Sequence, residues 1–305
     1  GAADAARERR EGRPGGVAWL TSGGTAAGTL IACDPGMSPS ALSAERAASR
    51  PHAMNHHKYI AIAHRDHDYC NPLSAAKFER LLDLLPLEAT SRVLDLGCGR
   101  AELALRIIER FGSTVIALDH SSYMLDAARE RAEWTGALGR LHLDDTDIRD
   151  FRADPETFHL SVMLEAGGIA GGMAGTCRQL RVWTRSGGYV LVGIGYWKKK
   201  PPGELVALLG GRERELLDHT GNVQAGIDAG LVPMHAVTAT HDEWDEYEWK
   251  FCRSVERHAR EQPDDPDVPA MLERARRWRD AYVRWGREAL GFAAYLFYRP
   301  GARLT

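Results

Sequence analysis

The chain of 305 residues has little cysteine, no strong excess of charge and no long hydrophobic run. Its five cysteines are odd in number and lack CxxC spacing, which argues against a disulfide framework or a zinc site and favours reduced thiols. The formal net charge of -3 argues against binding of nucleic acid by bulk electrostatics. No apolar run approaches the ~20 residues that a membrane-spanning helix needs. These absences predict a cytoplasmic globular protein with neither a nucleic-acid nor a membrane partner.

A metal site is not expected either, although the chain has twelve histidines. His56 is adjacent to His57, and His64 lies three residues before His67. No carboxylate or thiol cluster completes either pair in sequence.

The first 53 residues are rich in alanine, glycine, arginine and serine. Their apolar stretch contains too many threonine, serine and glycine residues for a secretory signal. We therefore expect residues 1–53 to be a disordered leader or a non-native extension, and residues 54–300 to form the folded domain.

The most informative segment is Val93-Leu94-Asp95-Leu96-Gly97-Cys98-Gly99, an apolar strand that runs into a Gly-x-Gly turn and a periodic helix. Such a turn lets the backbone approach a ligand at the carboxyl end of the first strand of a doubly wound sheet. The third glycine of the dinucleotide fingerprint is absent, because Glu102 occupies its position. Together with Asp95, Glu102 would repel a pyrophosphate and attract a cationic ligand. S-adenosylmethionine, which carries an amine and a sulfonium, fits that charge.

Strands and helices alternate around this turn in the manner of a parallel α/β sheet. Residues 55–90 are predicted to form N-terminal cap helices, over 56–67 and 74–85. Five strands are predicted at 92–96, 114–118, 141–143, 158–164 and 188–194, with helices at 101–111, 122–134 and 172–184.

The pattern changes in the last third of the chain. Strands at 232–240 and 292–298 are predicted to form an antiparallel pair that closes the sheet, with a helical lid at 241–290 between them. In its second helix, predicted over 269–290, Trp278, Tyr282, Trp285 and Ala289 fall on one face. This stripe either packs against the edge of the sheet or covers the substrate, and the sequence leaves both interpretations open.

Acidic residues follow the second and third predicted strands. Asp119 is placed to accept hydrogen bonds from both ribose hydroxyls of a nucleoside cofactor. Asp145, with Thr146 beside it, is placed to accept from the adenine amino group. The alternative for each of these acids is an N-cap of the following helix.

With these motifs in order, the chain resembles the class I S-adenosylmethionine-dependent methyltransferases, and within them a group of bacterial small-molecule methyltransferases. Further shared segments lie outside the cofactor loop: Asn71-Pro72, Ile169-Ala170-Gly171-Gly172, Tyr196-Trp197, Trp244-Asp245-x-Tyr247-Glu248 and Arg287-Glu288-x-x-Gly291-Phe292. The resemblance implies an α/β, Rossmann-like sheet of seven strands in the order 3-2-1-4-5-7-6, with helices on both faces and the substrate over the carboxyl ends. The residues then expected to bind the cofactor are Asp95, Gly97, Cys98, Gly99, Asp119, His120, Asp145, Thr146 and Glu165.

Two departures from the family pattern bear on the substrate. The fourth strand of the family is usually followed by Gly-Ala-Thr-Trp, where this chain has Glu165-Ala166-Gly167-Gly168. The fifth strand usually ends in Gly-Glu-Pro-Tyr-Trp, where this chain has Gly193-Ile194-Gly195-Tyr196-Trp197. Loss of a tryptophan from the first segment and of a glutamate from the second predicts a larger, flat and mostly apolar substrate.

Methyl transfer from a sulfonium is an in-line displacement, so positioning supplies most of the catalysis. A base is needed only where the acceptor must lose a proton, and Tyr59, His64, His67 and Tyr69 are candidates in the cap segment. A tyrosine needs a neighbouring cation to lower its pKa for that role, and the alternative for each is a solvated or capping side chain. We predict Tyr59, His64 and Glu165 as catalytic residues. The predicted substrate contacts are Tyr59, Tyr69, Gly168, Tyr196, Trp197, Trp244, Tyr282 and Trp285, of which Tyr196 and Trp197 could instead pack beneath the lid.

Some relatives in this neighbourhood methylate carbon 3 of the indole in tryptophan-containing cyclic dipeptides, giving a pyrroloindoline. A wide apolar pocket, an aromatic lid and a base for the indole N–H would suit that reaction, which is our leading hypothesis for a small-molecule aromatic substrate. The alternatives are an N- or O-methyltransferase of another aromatic secondary metabolite, a nicotinamide dehydrogenase and a non-catalytic cofactor-binding protein. A homodimer is compatible with the sequence.

Overall fold

The computed structural model describes residues 53–165, 171–209 and 216–301. Its centre is a sheet of seven strands in the order β3-β2-β1-β4-β5-β7-β6. Strands β1 to β5 run parallel, and β7 is antiparallel to both β5 and β6. The strands are β1 Arg92–Leu96, β2 Thr114–Leu118, β3 Leu141–Asp144, β4 Phe158–Leu164, β5 Thr184–Trp197, β6 Val232–Thr238 and β7 Leu290–Tyr298. The predicted fold and strand order are confirmed.

Helices cover both faces of this sheet. In chain order they are α1 His56–Ala63, α2 Ala75–Leu82, α3 Glu102–Phe111, α4 Ser122–Thr135, α5 Gly172–Trp183, α6 Gly203–Leu208, α7 His219–Asp228, α8 His241–Glu261, α9 Val268–Ala281, a π-helix Tyr282–Gly286, and α10 Arg287–Ala289. Among the described residues, none of these helices combines the length and the hydrophobicity needed to cross a membrane.

The core has two layers because alternate residues of each strand point to opposite faces. Val93 packs with α2 and α3 on one face, while Leu94 and Leu96 pack with α5 and α7 on the other. Asp95 therefore shares the face of Val93, and it ends up 3% exposed at the carboxyl end of the strand. A charged group at such a position is costly to bury unless a ligand compensates it.

The N-terminal and lid helices meet in a third apolar cluster that contains Tyr59, Phe251, Val255, Met271 and Ala275. The cluster ties α1 to α8 and α9, on the side of the sheet where the strands end. Two ion pairs from Lys58 to Asp265 and Asp267, at 2.6 and 3.0 Å, reinforce this contact.

Helix α8 begins with a capping box. The Thr240 hydroxyl accepts from the backbone N–H of Glu243, and the Glu243 carboxylate accepts from the backbone N–H of Thr240. Glu243 also pairs with Lys77 of α2. The start of the lid is thereby fixed to the N-terminal cap.

The second lid helix differs from its prediction. Instead of one helix over 269–290, α9 ends at Ala281 and a π-helix follows over Tyr282–Gly286. A π-turn inserts one residue per turn and rotates all that follows it around the axis. Even so, Trp278, Tyr282 and Ala289 are buried in one apolar cluster with residues of β5 and β7, and Trp285 packs half-buried against it.

Candidate functional site

A cleft lies over the carboxyl ends of β1, β2 and β4, between these strand ends and α1. Its empty volume, counted out to its open mouth, is about 1210 Å³. Such a position, outside the strand ends of an open α/β sheet, is where ligands of this architecture bind. We refer to it as the first cavity.

The turn after β1 forms the floor of the first cavity. Gly97 and Gly99 have φ of 72° and 55°, in the left-handed region that favours glycine. The backbone N–H groups of Gly97 and Cys98 both donate to the carbonyl oxygen of Leu118 at 2.8 Å. A Cβ added at Gly99 would lie 3.3 Å from the Cys70 sulfur. The turn is thus held tightly against both β2 and the cap segment.

Two carboxyls lie side by side at this floor, that of Asp95 buried and that of Asp119 half-buried. Asp119 accepts from the backbone N–H groups of Gly99 and Ser121, at 3.0 and 2.9 Å. Burial, and then the neighbouring Asp119, raise the pKa of Asp95 to about 7. Burial also raises the pKa of Asp119. Both shifts indicate that the ionised carboxylates are unfavourable in this site unless a positively charged ligand lies beside them.

Two buried hydroxyls on the wall of the first cavity, Tyr69 Oη and Ser121 Oγ, have no hydrogen-bond partner among the described residues. Buried polar groups are nearly always paired, so these hydroxyls indicate a polar ligand. Together with Asp95 and Asp119, they suit a cofactor that carries both a positive charge and hydroxyl groups. The residues present therefore fit S-adenosylmethionine.

His120 lies at the mouth of this cavity. Its ring packs edge-on against that of His57 at a centroid distance of 4.8 Å. Both rings line the cavity next to Asp119, so the structure places His120 with the other predicted cofactor residues.

The predicted adenine contacts are not supported by the structure. Strand β3 ends at Asp144, and the Asp144 carboxylate accepts from the backbone N–H of Thr146 at 2.8 Å. Asp145 is exposed, and neither it nor Thr146 lines the cavity. The side chain that lines it here is Ile148, a contact that sequence spacing did not reveal.

Among the predicted bases, Tyr59 lies away from both cavities. Its side chain is 1% exposed and packs edge-on against Phe251, with Arg274 over its ring, and it lines neither of the two cavities described here. Burial raises its pKa well above the usual range. The structure therefore does not support the catalytic and substrate roles predicted for Tyr59, because helix α8 covers its side chain.

His64 does line the first cavity, but in a neutral and fully engaged form. Its Nδ1–H donates to the carbonyl oxygen of Ile60 at 2.9 Å, which leaves Nε2 to accept from the Tyr247 hydroxyl, also at 2.9 Å. Burial lowers its pKa to about 3. His64 is thus suited to holding Tyr247 in place. His67 likewise holds α8, since its Nε2–H donates to the carbonyl oxygen of Tyr247 at 2.9 Å.

Glu165 follows the end of β4 and has φ of 62°, an uncommon backbone conformation for a residue with a side chain. Its backbone N–H donates to the carbonyl oxygen of Gly193 at 3.0 Å, which stabilises this conformation. Burial, and then the negative charge of Glu248, raise the pKa of Glu165 to about 8. A carboxyl with this pKa takes up and releases protons near neutrality.

A second cavity, with an empty volume of about 450 Å³, shares Glu165 and Tyr247 with the first. Its other walls are mostly aromatic and aliphatic: Pro72, Gly195, Leu209, Leu216, Trp244, Trp278 and Leu290. Glu248 also lines it and is 2% exposed. The Trp244 indole donates to one Glu248 oxygen at 3.0 Å, and the Trp278 indole donates to the other at 2.7 Å.

The other predicted substrate contacts lie in different parts of the structure. Tyr69 lines the first cavity and Trp244 the second. Tyr282 lies behind Trp244, stacked on it, and donates to Asp245 at 2.7 Å. Tyr196, Trp197 and Trp285 line neither cavity in the described part of the chain, so direct contacts from them are not supported. Gly168 lies outside the described residues.

Sequence reasoning missed the roles of Tyr247, Glu248 and Trp278. Tyr247 and Glu248 lie within the segment Trp244-Asp245-x-Tyr247-Glu248 that carries part of the family resemblance. The spacing of Trp244 and Glu248, one helical turn apart, was the available signal for their hydrogen bond. The contact with Trp278 comes from a different helix and had no local signal.

Comparison with known proteins agrees with this geometry. Residues 93–188 match the family model of a methyltransferase domain. The chain is 30% identical over 243 residues to the uncharacterized protein YjhP of Escherichia coli (strain K12). The aligned region covers 78% of this chain and 96% of that protein.

Solved structures show the same similarity. A SAM-dependent methyltransferase from Geobacter sulfurreducens in complex with S-adenosyl-L-homocysteine is 25% identical, with a TM-score of 0.72 over 79% of this chain and 98% of that one. A SAM-dependent methyltransferase from Thiobacillus denitrificans, in complex with the same molecule, is 27% identical, with a TM-score of 0.69 over 78% and 96%. The structure of YjhP from E. coli is 29% identical, with a TM-score of 0.70 over 79% and 99%.

Proposed function

Since the chain belongs to the class I S-adenosylmethionine-dependent methyltransferases, we propose that it methylates a small molecule bound in the second cavity, with Glu165 as the proton acceptor. The observation that carries this proposal is the position of Glu165. It lies in the wall that the second cavity shares with the first, where the cofactor binds.

The cofactor supplies a methyl group on a positively charged sulfur, which is open to in-line displacement. On the protein side, Asp119 and Ser121 would hydrogen-bond the ribose hydroxyls, and Asp95 would offset the positive charge. The glycine turn lets the backbone approach closely. These are the roles that the buried, unpaired polar groups of the first cavity support.

The chain's own residues also exclude water and hold the acceptor. Helices α8 and α9 supply the aromatic walls of the second cavity, and Tyr247 lines both this cavity and the first. With the acceptor fixed beside the methyl donor, positioning supplies most of the rate enhancement. Glu165 needs only to take a proton from an N–H or O–H group of the acceptor.

A second candidate is C3-methylation of the indole in a tryptophan-containing cyclic dipeptide. The aromatic walls from Trp244 and Trp278 favour a flat substrate, and Glu165 could accept the indole N–H proton. The same aromatic walls suit N- or O-methylation of another aromatic metabolite, so a substrate screen must separate these reactions.

The proposal is tested in two steps with the purified full chain. Calorimetry should show binding of S-adenosylhomocysteine, and methyl-labelled S-adenosylmethionine should then label one member of a panel of aromatic amines, phenols and cyclic dipeptides. Glu165→Gln should keep cofactor binding and lower kcat by about 100-fold, the usual contribution of a general base. Glu246→Gln, an exposed acid on α8, is the matched control. Absence of cofactor binding would overturn the proposed function, and a fully active Glu165→Gln variant would overturn the role of Glu165.

A further inference from the structure

The second cavity combines aromatic walls with two carboxyl groups. Trp244, Tyr247 and Trp278 supply the aromatic surface, and Glu165 and Glu248 supply the carboxyls. Among the residues that the structure describes, no lysine, arginine or histidine lines this cavity. Burial in this largely apolar space disfavours the ionised form of both carboxyls until a cation enters it.

Burial raises the pKa of the Glu248 carboxyl to about 7, and its two hydrogen bonds act against that shift. Each of its two oxygens accepts a hydrogen bond from one indole N–H, at 3.0 and 2.7 Å, and two such donors favour the ionised form. Its charged neighbours do not offset that charge, because Asp245 and Glu165 are acids themselves. Arg287, the nearby guanidinium, is already paired with Asp245 at 2.9 Å.

The indole hydrogen bonds also orient the cavity walls. Because Trp244 and Trp278 point their N–H groups at the same carboxylate, their rings are held on either side of it. Trp244 is further fixed by stacking on Tyr282. Aromatic faces attract alkylammonium groups, and several faces around an acid form a cage for such a cation.

We propose that the second cavity is an ammonium-binding subsite and that the methyl acceptor is an organic amine, bound as its cation between Glu165 and Glu248. This inference rests on the proposed function and specifies its substrate class. The aliphatic surface of Leu209, Leu216 and Leu290 would hold the hydrocarbon part of the amine.

The two acids then have different tasks. Glu248, held by two indoles, is ionised once the cation lies beside it, and it retains that cation. Glu165 takes one proton from the ammonium group, and the electrons of the broken N–H bond remain on nitrogen as a lone pair. That pair forms the new N–C bond while the C–S bond of the donor breaks and leaves its electrons on sulfur. Methylation of a neutral indole needs only one proton acceptor and no carboxylate to hold a positive charge. This inference therefore favours amines over cyclic dipeptides as substrates.

The test compares the binding of two benzyl cations with that of a neutral molecule that carries the same benzyl group. Calorimetry is carried out on the full chain saturated with S-adenosylhomocysteine, with benzylamine, benzyltrimethylammonium and benzyl alcohol as probes. We expect both cations to bind at least tenfold more tightly than benzyl alcohol. A tryptophan-containing cyclic dipeptide provides a neutral aromatic comparison and should also bind more weakly than the cations.

Variants assign the effect to the cavity. Glu248→Gln and Trp278→Phe should each weaken binding of both cations at least fivefold while the affinity for S-adenosylhomocysteine stays unchanged. A glutamine at position 248 has only one acceptor oxygen, so Glu248→Gln also loses one of the two indole hydrogen bonds. Glu165→Gln is therefore measured as well, because it removes a carboxyl from the same cavity without losing a described side-chain hydrogen bond. Glu246→Gln is the surface control.

Equal affinity for the cations and benzyl alcohol would overturn the ammonium subsite, as would cation binding that none of these variants weakens. In either case intact binding of S-adenosylhomocysteine would leave the proposed function standing. Loss of that binding in the wild-type protein would overturn both.

Discussion

At the scale of single residues, Asp119 is the acid best placed to hold a nucleoside. It accepts two backbone N–H groups, one of them from Gly99 of the cofactor turn, so its orientation is fixed before any ligand arrives. Asp145, the other predicted acid, is exposed and lies off the cavity. The two aspartates therefore form a matched pair.

We predict that Asp119→Ala weakens binding of S-adenosylhomocysteine by about 10- to 100-fold, since hydrogen bonds to a charged group are worth about 1.5–3 kcal/mol. Asp145→Ala should leave the affinity unchanged. Titration calorimetry of the two variants measures both effects. A loss with Asp145→Ala, but none with Asp119→Ala, would contradict the placement of the cofactor over β2.

Glu165 is the residue whose protonation should govern the rate. Burial and the charge of Glu248 raise its pKa to about 8, and only the carboxylate accepts a proton. The rate should therefore rise with pH and level off at or below about 8, because bound positive charge lowers the pKa. Measuring kcat from pH 5 to 9 tests this, and Glu165→Gln should remove the rise. A profile that falls over this range would exclude Glu165 as the base.

Residue identities were predictable where local sequence determines them. The Gly-x-Gly turn and Asp119 were predicted, because a short apolar strand followed by a polar turn fixes their position. The burial of Tyr59 was not predictable, because it depends on α8, which comes almost two hundred residues later in the chain. The roles of Glu248 and Trp278 depend on a contact between two helices and were equally inaccessible.

At the scale of elements, hydrophobic periodicity predicted the strands and most helices but not the π-helix at Tyr282–Gly286. A π-turn leaves no mark in a 3.6-residue pattern until its contacts are known. Here Trp278, before it, lines the second cavity, whereas Trp285, within it, does not.

Helix α7 offers a test of how closely the elements pack. A Cβ added at Gly226 would lie 2.2 Å from the Phe297 ring of β7, far inside van der Waals contact. Gly203, in α6, has no such neighbour within 4 Å. Alanine normally stabilises a helix relative to glycine. At position 226 the clash with Phe297 opposes this gain, so the change in the free energy of unfolding shows whether α7 can move away from β7.

We predict that Gly226→Ala lowers the free energy of unfolding by about 1–3 kcal/mol through overpacking. Gly203→Ala should change it by less than about 0.5 kcal/mol. Urea denaturation followed by tryptophan fluorescence measures both. An equal effect of the two substitutions would show that α7 can move away from β7 at little cost.

At the scale of the whole molecule, the site is assembled from both ends of the domain. The cap segment contributes His64 and Tyr69, which lie between α1 and α2, the strand ends contribute the acids, and lid helix α8 contributes Tyr247 and Glu248. Sequence order predicts the sheet because parallel strands joined by helices allow few topologies. It does not predict how the cap meets the lid, since that contact depends on the Tyr59–Phe251 cluster and the Lys58 ion pairs.

Ionisation of the buried Asp95 carboxyl, in the absence of a bound cation, should lower the free energy of unfolding of the domain as the pH rises. Asp95 has a pKa of about 7 in the folded chain against a usual value of 3.8, so between these values the folded state binds more protons than the unfolded state. Its contribution is therefore fully present below about pH 4 and is lost as the pH rises to about 7. The slope cannot exceed about 1.4 kcal/mol per pH unit for a single group.

We predict that the free energy of unfolding of the wild type, relative to Asp95→Asn, falls between pH 5 and 7, because asparagine does not titrate. Denaturation with urea at a series of pH values measures this difference, and Asp145→Asn supplies the control, for which it should stay constant. Saturation with S-adenosylhomocysteine should reduce the fall, because its ammonium group favours the ionised form of Asp95. A difference that is the same at pH 5 and pH 7 would mean that Asp95 titrates normally, and the argument for a cation beside it would fail.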